Sequence, residues 1–243
     1  MKAVGIIPAR YASTRFPGKP LVDIKGKTMI RRVYEQAAKS HLLTGVFVAT
    51  DDQRIVMEVE SFGGNVIVTS PNHPSGTDRC YEALEKIGKD KYEVAVNIQG
   101  DEPFIHPEQI DKVVKCFKNS EVQIATLAHH LMDNRDLINP SIVKITRNVN
   151  GEALYFSRSP IPFIRESSNT DWTKSYTFLK HIGIYAYRPD VLEKIVKLAP
   201  SSLEKAESLE QLRWLENGFS VMVEITDKES FPVDTPEDLK KFI

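Results

Sequence analysis

Lys2-Ala-Val-Gly-Ile-Ile-Pro8 runs directly into Ala9-Arg10-Tyr11-Ala12-Ser13-Thr14-Arg15-Phe16-Pro17-Gly18-Lys19-Pro20. The first stretch reads as a short apolar strand that stops at Pro8. The second is a loop that proline and glycine keep from becoming a helix. A loop after the first strand of an α/β sheet lies at the carboxyl edge, where such folds bind ligands. Arg10, Arg15 and Lys19 converging there call for a polyanion, most simply a nucleoside triphosphate. Neither a G-x-x-x-x-G-K-[ST] loop nor a G-x-G-x-x-G turn is present, so the site is of neither common phosphate-binding type.

The following sequence repeats the same rhythm. Strands are expected at 46–50, 65–69 and 94–98. Helices are expected after Asp51-Asp52 to residue 62, at 75–87 with Ser75 or Thr77 near the cap, and at 107–117 with proline in the first turn. This alternation predicts an α/β fold with a mainly parallel, Rossmann-like sheet covered on both faces. After residue 120 the rhythm changes. Strand-like runs at 122–129, 142–146 and Ala153–Ser157 follow without long helices between them, and Asn148-Val149-Asn150-Gly151 reads as a hairpin turn. A polar loop is expected at 167–175 and a strand at 181–187. Helices are expected at 189–197, 208–217 and 235–242, with a strand at 219–225. The simplest organisation is a single domain over 1–243 with an antiparallel, strand-rich insertion at about 121–187.

The chain has 243 residues, 41% of them hydrophobic, which is enough for a substantial core. Its 32 basic and 33 acidic residues give a net charge of −1, which argues against a nucleic-acid binder. No apolar run approaches membrane-spanning length, and the N-terminus enters a strand directly, so neither a membrane anchor nor a signal peptide is expected. Cys80 and Cys116 are too few and too far apart for a disulfide framework or a C-x-x-C site. They suit a reducing cytoplasm.

Asp101 follows an apolar strand beside Gly100 and before Pro103, where a carboxylate can hold a hard cation such as Mg²⁺. Glu102 is a weaker candidate. Asp234, before Thr-Pro, reads on the residues alone as an N-cap. Tyr155 and Trp214 read first as packing residues.

Taken together, IIPARYASTRFPGKPL (6–21), ATDD (49–52), HPSGTDR (73–79), NIQGDEPF (97–104), ALYFSRSPIP (153–162), KHIGIYAYR (180–188), ESLEQLRWLENG (207–218) and VDTPEDL (233–239) resemble the CMP-Kdo synthetases, or 3-deoxy-manno-octulosonate cytidylyltransferases. The resemblance is collinear over nearly the whole chain. It implies a nucleotidyltransferase fold of the glycosyltransferase-A-like type and a homodimer. It also implies that CTP and Kdo, an eight-carbon 2-keto sugar acid of bacterial lipopolysaccharide, give CMP-Kdo and pyrophosphate.

The resemblance further implies that Arg10, Arg15 and Lys19 clamp the triphosphate and that Asp101 and Asp234 are metal ligands. It makes 73–79 a cytosine-recognition loop, with Ser75, Gly76, Asp78 and Arg79 as its polar groups. The anionic polyol needs a cation for its carboxylate and hydrogen-bonding groups for its hydroxyls. Gln99, Arg158, His181, Tyr185, Glu210 and Gln211 supply that inventory. Competing readings are an 8-amino-Kdo or neuraminate cytidylyltransferase, and a nucleotide-sensing module without turnover.

Overall fold

The structure is a computed structural model that describes residues 1–12, 16–165, 172–229 and 231–240. In chain order the elements are β1 (Ala3–Pro8), the hairpin β2 (Asp23–Ile24) and β3 (Lys27–Thr28), α1 (Met29–Ala37), β4 (Leu43–Thr50), α2 (Gln53–Ser61), β5 (Val66–Val68), α3 (Gly76–Ile87), β6 (Val94–Asn97) and α4 (Pro107–Lys115). Then come β7 (Ile124–Leu131), α5 (Asn134–Ile138), β8 (Lys144–Arg147), β9 (Ala153–Ser157), α6 (Trp172–Ser175), β10 (Phe178–Tyr187), α7 (Pro189–Ile195), α8 (Ser202–Glu207), α9 (Gln211–Glu216), β11 (Val221–Thr226) and α10 (Pro236–Leu239). The contacts gather into two units. The first is Met1–Val114, Ile184–Val196 and Ser230–Ile243, and the second is Lys115–Gly183 and Lys197–Glu229. The strand-rich stretch expected at about 121–187 falls largely in the second.

In the first unit β1 pairs in parallel with both β4 and β6, and β4 with β5. The last residues of β10 add an antiparallel edge, Tyr185 opposite Asn97. Strands β1 and β6 are apolar along almost their whole length because helices cover both faces. Ile6 lies opposite Asn97 on one side and Phe47 on the other, so the strand ends are level. A side chain at Gly100 would come within 2.9 Å of the Pro8 carbonyl oxygen, and one at Gly76 within 3.3 Å of the Pro8 ring. Glycine therefore lets the ends of β1 and β6 and the start of α3 crowd together at the carboxyl edge. A second cluster buries Ile24, Met29 and Val233, with Phe16, Phe104 and Leu239 packed on it. It fixes the C-terminal segment beside α1.

In the second unit β7 and β11 are parallel over six residues, and β8 and β9 form the expected hairpin. Asn148 shapes the turn, its Oδ1 accepting the N–H groups of Asn150 and Glu152, both at 2.9 Å. Gly151 takes the left-handed conformation there, φ 87°.

Several expectations need correction. Residues 22–45, left unassigned above, hold β2, β3 and α1, whose Thr28 cap accepts from Arg31 N–H and whose Met29, Ile30, Val33 and Ala37 are buried on one face. Residues 167–171 of the expected polar loop lie outside the described residues. Its remainder is α6, with Trp172 buried among Leu131, Leu137 and Phe178. The helix expected at 208–217 begins at Gln211, and Ser208 (φ 52°) instead ends a separate helix, α8.

Candidate active site

An open cavity of about 210 Å³ lies at the carboxyl edge of the first unit's sheet. Three pieces of chain line it: Pro8, Ala9, Arg10, Lys19 and Pro20; the His73–Gly76 stretch with Arg79; and Gln99, Gly100 and Asp101. Arg10, Lys19, Ser75, Gly76, Arg79, Gln99 and Asp101 are thus brought together as the sequence suggested. Arg15 lies outside the described residues. Lys19 opens a 3-10 turn, Lys19–Leu21, that Gly18 enters in the left-handed conformation at φ 73°.

Lys19 Nζ donates to Asp101 Oδ2 at 2.8 Å and to Asp234 Oδ1 at 3.3 Å. Asp234 is held there from two sides. Val233 N–H donates to the Asp101 carbonyl oxygen at 2.9 Å, and the Val233 side chain is buried. The capping role read from Asp-Thr-Pro belongs instead to Thr235, which forms a reciprocal capping box with Asp238. The Asp234 carboxylate therefore does not cap α10. Two carboxylates within reach of one nitrogen are a donor set that suits a small hard dication, which needs one or two carboxylates plus phosphate oxygens.

At the other wall Ser75 caps α3. Its Oγ accepts the N–H groups of Thr77 and Asp78 and also donates to Asp78 Oδ2 at 2.6 Å. The positive end of a twelve-residue helix faces the cavity, a suitable neighbour for an anion. Arg79 is buried, its Nη1 shared between Thr69 Oγ1 at 2.7 Å and Asp51 Oδ1 at 2.8 Å. That ties α3 to the ends of β4 and β5 while leaving Arg79 at the cavity wall.

His73 is a lining residue that the sequence reading did not single out. Its Nε2 bonds to Glu82, nine residues on in α3. Burial alone would raise the Glu82 pKa. Hydrogen bonds from Lys86, the Ser70 N–H and His73 outweigh it and pull the value down to about 2. Glu82 is thus an anion at neutral pH and orients the His73 ring.

Of the residues expected to meet the sugar acid, Gln99 and Tyr185 belong to the first unit. Gln99 Nε2 donates to Asn97 Oδ1 at 3.2 Å, and Tyr185 is buried and stacks on Tyr187. The others belong to the second unit. Arg158 donates to three main-chain carbonyl oxygens, of Glu207 at 2.7 Å, Pro140 at 3.0 Å and Ser208 at 3.3 Å. His181 Nε2 lies 3.0 Å from Thr126 Oγ1, and burial pushes its pKa down to about 3. The ring is therefore neutral at pH 7 and supplies no cation for a carboxylate. Gln211 is buried, and Glu210 lies 4.0 Å from the Arg213 guanidinium.

Comparison with known proteins decides among the nucleotide-binding α/β folds. The Cytidylyltransferase family description matches residues 4–229. The chain belongs to the cytidylyltransferase family. It is 58% identical to the 3-deoxy-manno-octulosonate cytidylyltransferase of Parabacteroides distasonis, over 99% of this chain and 96% of that protein. It is 56% identical to the enzyme of the same name from Bacteroides thetaiotaomicron, over 99% and 96%. A solved structure of CMP:2-keto-3-deoxy-manno-octonic acid synthetase complexed with CTP superposes with a TM-score of 0.91 at 43% identity, covering 99% of this chain and 96% of that one. A cytidylyltransferase from Leptospira borgpetersenii, 17% identical with a TM-score of 0.62, shares the fold. The mostly parallel sheet with an antiparallel part is thus a cytidylyltransferase fold.

Proposed function

We infer that the protein transfers CMP from CTP to Kdo, giving CMP-Kdo and pyrophosphate for lipopolysaccharide synthesis. One observation carries this reading. The cation loop after β1, the N-terminus of α3 and Gln99-Gly100-Asp101 meet in one cavity, in a chain 43% identical to the CTP-complexed synthetase.

Arg10 and Lys19 neutralise phosphate charge, and the Ser75–Gly76 turn directs main-chain N–H groups and the helix dipole at the nucleotide. Asp101 and Asp234 would hold Mg²⁺. When bound, the metal would offset phosphate charge and lower the pKa of the attacking sugar hydroxyl. Holding that hydroxyl in line with the departing pyrophosphate is then chiefly a matter of position.

Crossing CTP, UTP and ATP with Kdo, 8-amino-Kdo and neuraminate tests the assignment. Pyrophosphate should appear fastest with CTP and Kdo, require both, and vanish with a chelator. Faster turnover of 8-amino-Kdo would transfer the assignment to that analogue. Nucleotide binding without turnover of any pair would favour a sensing module.

A homodimer and a cytoplasmic setting belong to the same reading. On the second unit Met132, Val149, Leu154 and Phe163 are each more than 60% exposed, apolar side chains of the kind a second copy would cover. Sedimentation over a wide concentration range should give a dimer, and a fully active monomer would remove it. Both cysteines are thiols, the state a reducing compartment maintains. Among the described residues no helix is long and apolar enough to cross a membrane.

A further inference from the structure

We propose that Lys19 is a resident counter-ion, holding Asp101 and Asp234 ready before nucleotide arrives and leaving them when a polyphosphate draws it away. The proposal rests on the cytidylyltransferase reading for the identity of that polyphosphate.

The two carboxylates lie 82 and 215 residues along the chain from Lys19, yet one ammonium nitrogen reaches both. The carboxylates are the fixed partners. Asp101 follows β6 at the crowded Gly100 corner, and Asp234 is set by buried Val233 and by the Thr235 cap. Lys19 is the partner able to move, because its charge sits at the end of four methylenes. Its side chain is 14% exposed, against 26% for Asp101 and 40% for Asp234. Without a cation between them, two fixed carboxylates in partly shielded surroundings would repel each other.

The same lone pairs cannot hold the ammonium group and ligate a dication. A metal ion entering the protein alone must compete with Lys19 for these carboxylates and overcome its repulsion. A nucleotide changes this, because Lys19 also lines the cavity with Arg10, Ser75 and Gly76. Phosphate oxygens there give the ammonium another anion, and the carboxylates are released for the cation that accompanies the phosphates. Metal and nucleotide binding are then positively coupled through one side chain, and the coupling is reciprocal.

Mn²⁺ titrations followed by electron paramagnetic resonance of the free ion test this without turnover. In the absence of nucleotide, Lys19→Met should bind Mn²⁺ at least fivefold more tightly than the wild type. Lys19→Gln, neutral and polar, should do the same if the methionine variant folds poorly. Lys19→Arg, which keeps the charge, should stay within twofold of wild type. Adding Asp234→Asn to Lys19→Met should remove the gain. CTP should tighten Mn²⁺ binding by a larger factor in the wild type than in Lys19→Met.

Neutral variants that bind Mn²⁺ no more tightly than wild type would overturn the proposal. So would an arginine variant that binds as tightly as the neutral ones, or a gain that survives Asp234→Asn. Failure of the cytidylyltransferase reading would look different. The wild type would then make no CMP-Kdo while the Mn²⁺ series still behaved as expected.

Discussion

In the first unit Lys19 reaches two carboxylates at a cavity wall, and Arg10 beside it is exposed. In the second unit the corresponding charges are built in. Arg213 grips Glu204 with two nitrogens, at 2.6 and 2.8 Å, and the Leu198 carbonyl oxygen with a third. Lys144 is buried and donates to the carbonyl oxygens of Asn139 and Ile142, and burial pushes its pKa down to about 8. The same residue types thus serve two purposes. A cation facing movable or incoming anions can exchange partners, whereas one enclosed by main-chain carbonyl groups braces the fold.

The largest effect expected from this contrast lies at the exchangeable end. Asp101→Asn and Asp234→Asn should each lower turnover by about 10²–10³-fold, the scale of losing one group that stabilises developing charge. The melting temperature should move little, because Thr235, not Asp234, caps α10. Steady-state pyrophosphate release beside thermal melts checks both halves. A folded Asp234→Asn enzyme with normal kcat at saturating Mg²⁺ would break the contrast.

At the built-in end the balance reverses. Arg213→Met leaves half-buried Glu204 without its bidentate partner, and removing one member of such a pair costs up to about 3 kcal/mol. In a chain of this size that lowers the melting temperature by up to about 6–12 °C. The kcat of the folded fraction should stay within a few-fold of wild type. A kinetic loss without a thermal one would place Arg213 among the exchangeable cations.

A smaller effect should appear with pH. Desolvation in the fold pushes the His181 pKa down from about 6.5 to about 3, so below pH 6.5 the unfolded chain binds the extra proton. Its contribution is intact above pH 6.5 and declines as pH falls toward 3, by at most about 1.4 kcal/mol per pH unit. The residue is only half-buried, which reduces that slope. Urea unfolding between pH 7 and 5 should show a shallower decline for His181→Gln than for wild type. Parallel curves would mean that His181 protonates without unfolding.

The two units also differ in how far their sequences can be read. In the first, β1 and β6 are apolar on both faces, and their ends are marked by Pro8 and by Gln99-Gly100-Asp101. Local pattern therefore places the cavity almost correctly. The clearest local miss is Asp234. Thr235-Pro-Glu-Asp238 carries a capping-box spacing that the preference for aspartate as a cap obscured. The Lys19 bridge could not be read, because it depends on residues more than eighty positions apart. In the second unit the decisive contacts are tertiary. Trp172 lies in a polar stretch, yet Phe163 meets its ring edge-on and Phe178 stacks with it at 6.3 Å. Arg158, expected to meet the sugar acid, has carbonyl partners that only the tertiary fold brings to it.

The smallest expected effect concerns how firmly the exchangeable cations are held before ligand binds. The Arg54 guanidinium carbon lies 3.2 Å from the centre of the Tyr11 ring. A Cβ at Gly18 would come within 3.2 Å of the same ring, and Gly18 N–H donates to the Tyr11 carbonyl oxygen at 2.9 Å. Tyr11 follows Arg10 and Gly18 precedes Lys19, so this stack sets the spacing of two cavity cations. Asp52 aims Arg54 through bonds at 2.9 and 2.6 Å and also caps α2. Arg54 is half exposed, so its hold on the ring is weak for a contact of this kind. Arg54→Ala should therefore weaken CTP binding about two- to fivefold by calorimetry, with kcat and the melting temperature nearly unchanged. Tyr11→Phe keeps the ring and should match wild type, whereas Tyr11→Leu should match or exceed the Arg54→Ala loss. Unchanged CTP affinity in both Arg54→Ala and Tyr11→Leu would mean that Gly18 and the turn at Lys19 hold the loop unaided, and the stack would then join the second unit's cations as a brace for the fold alone.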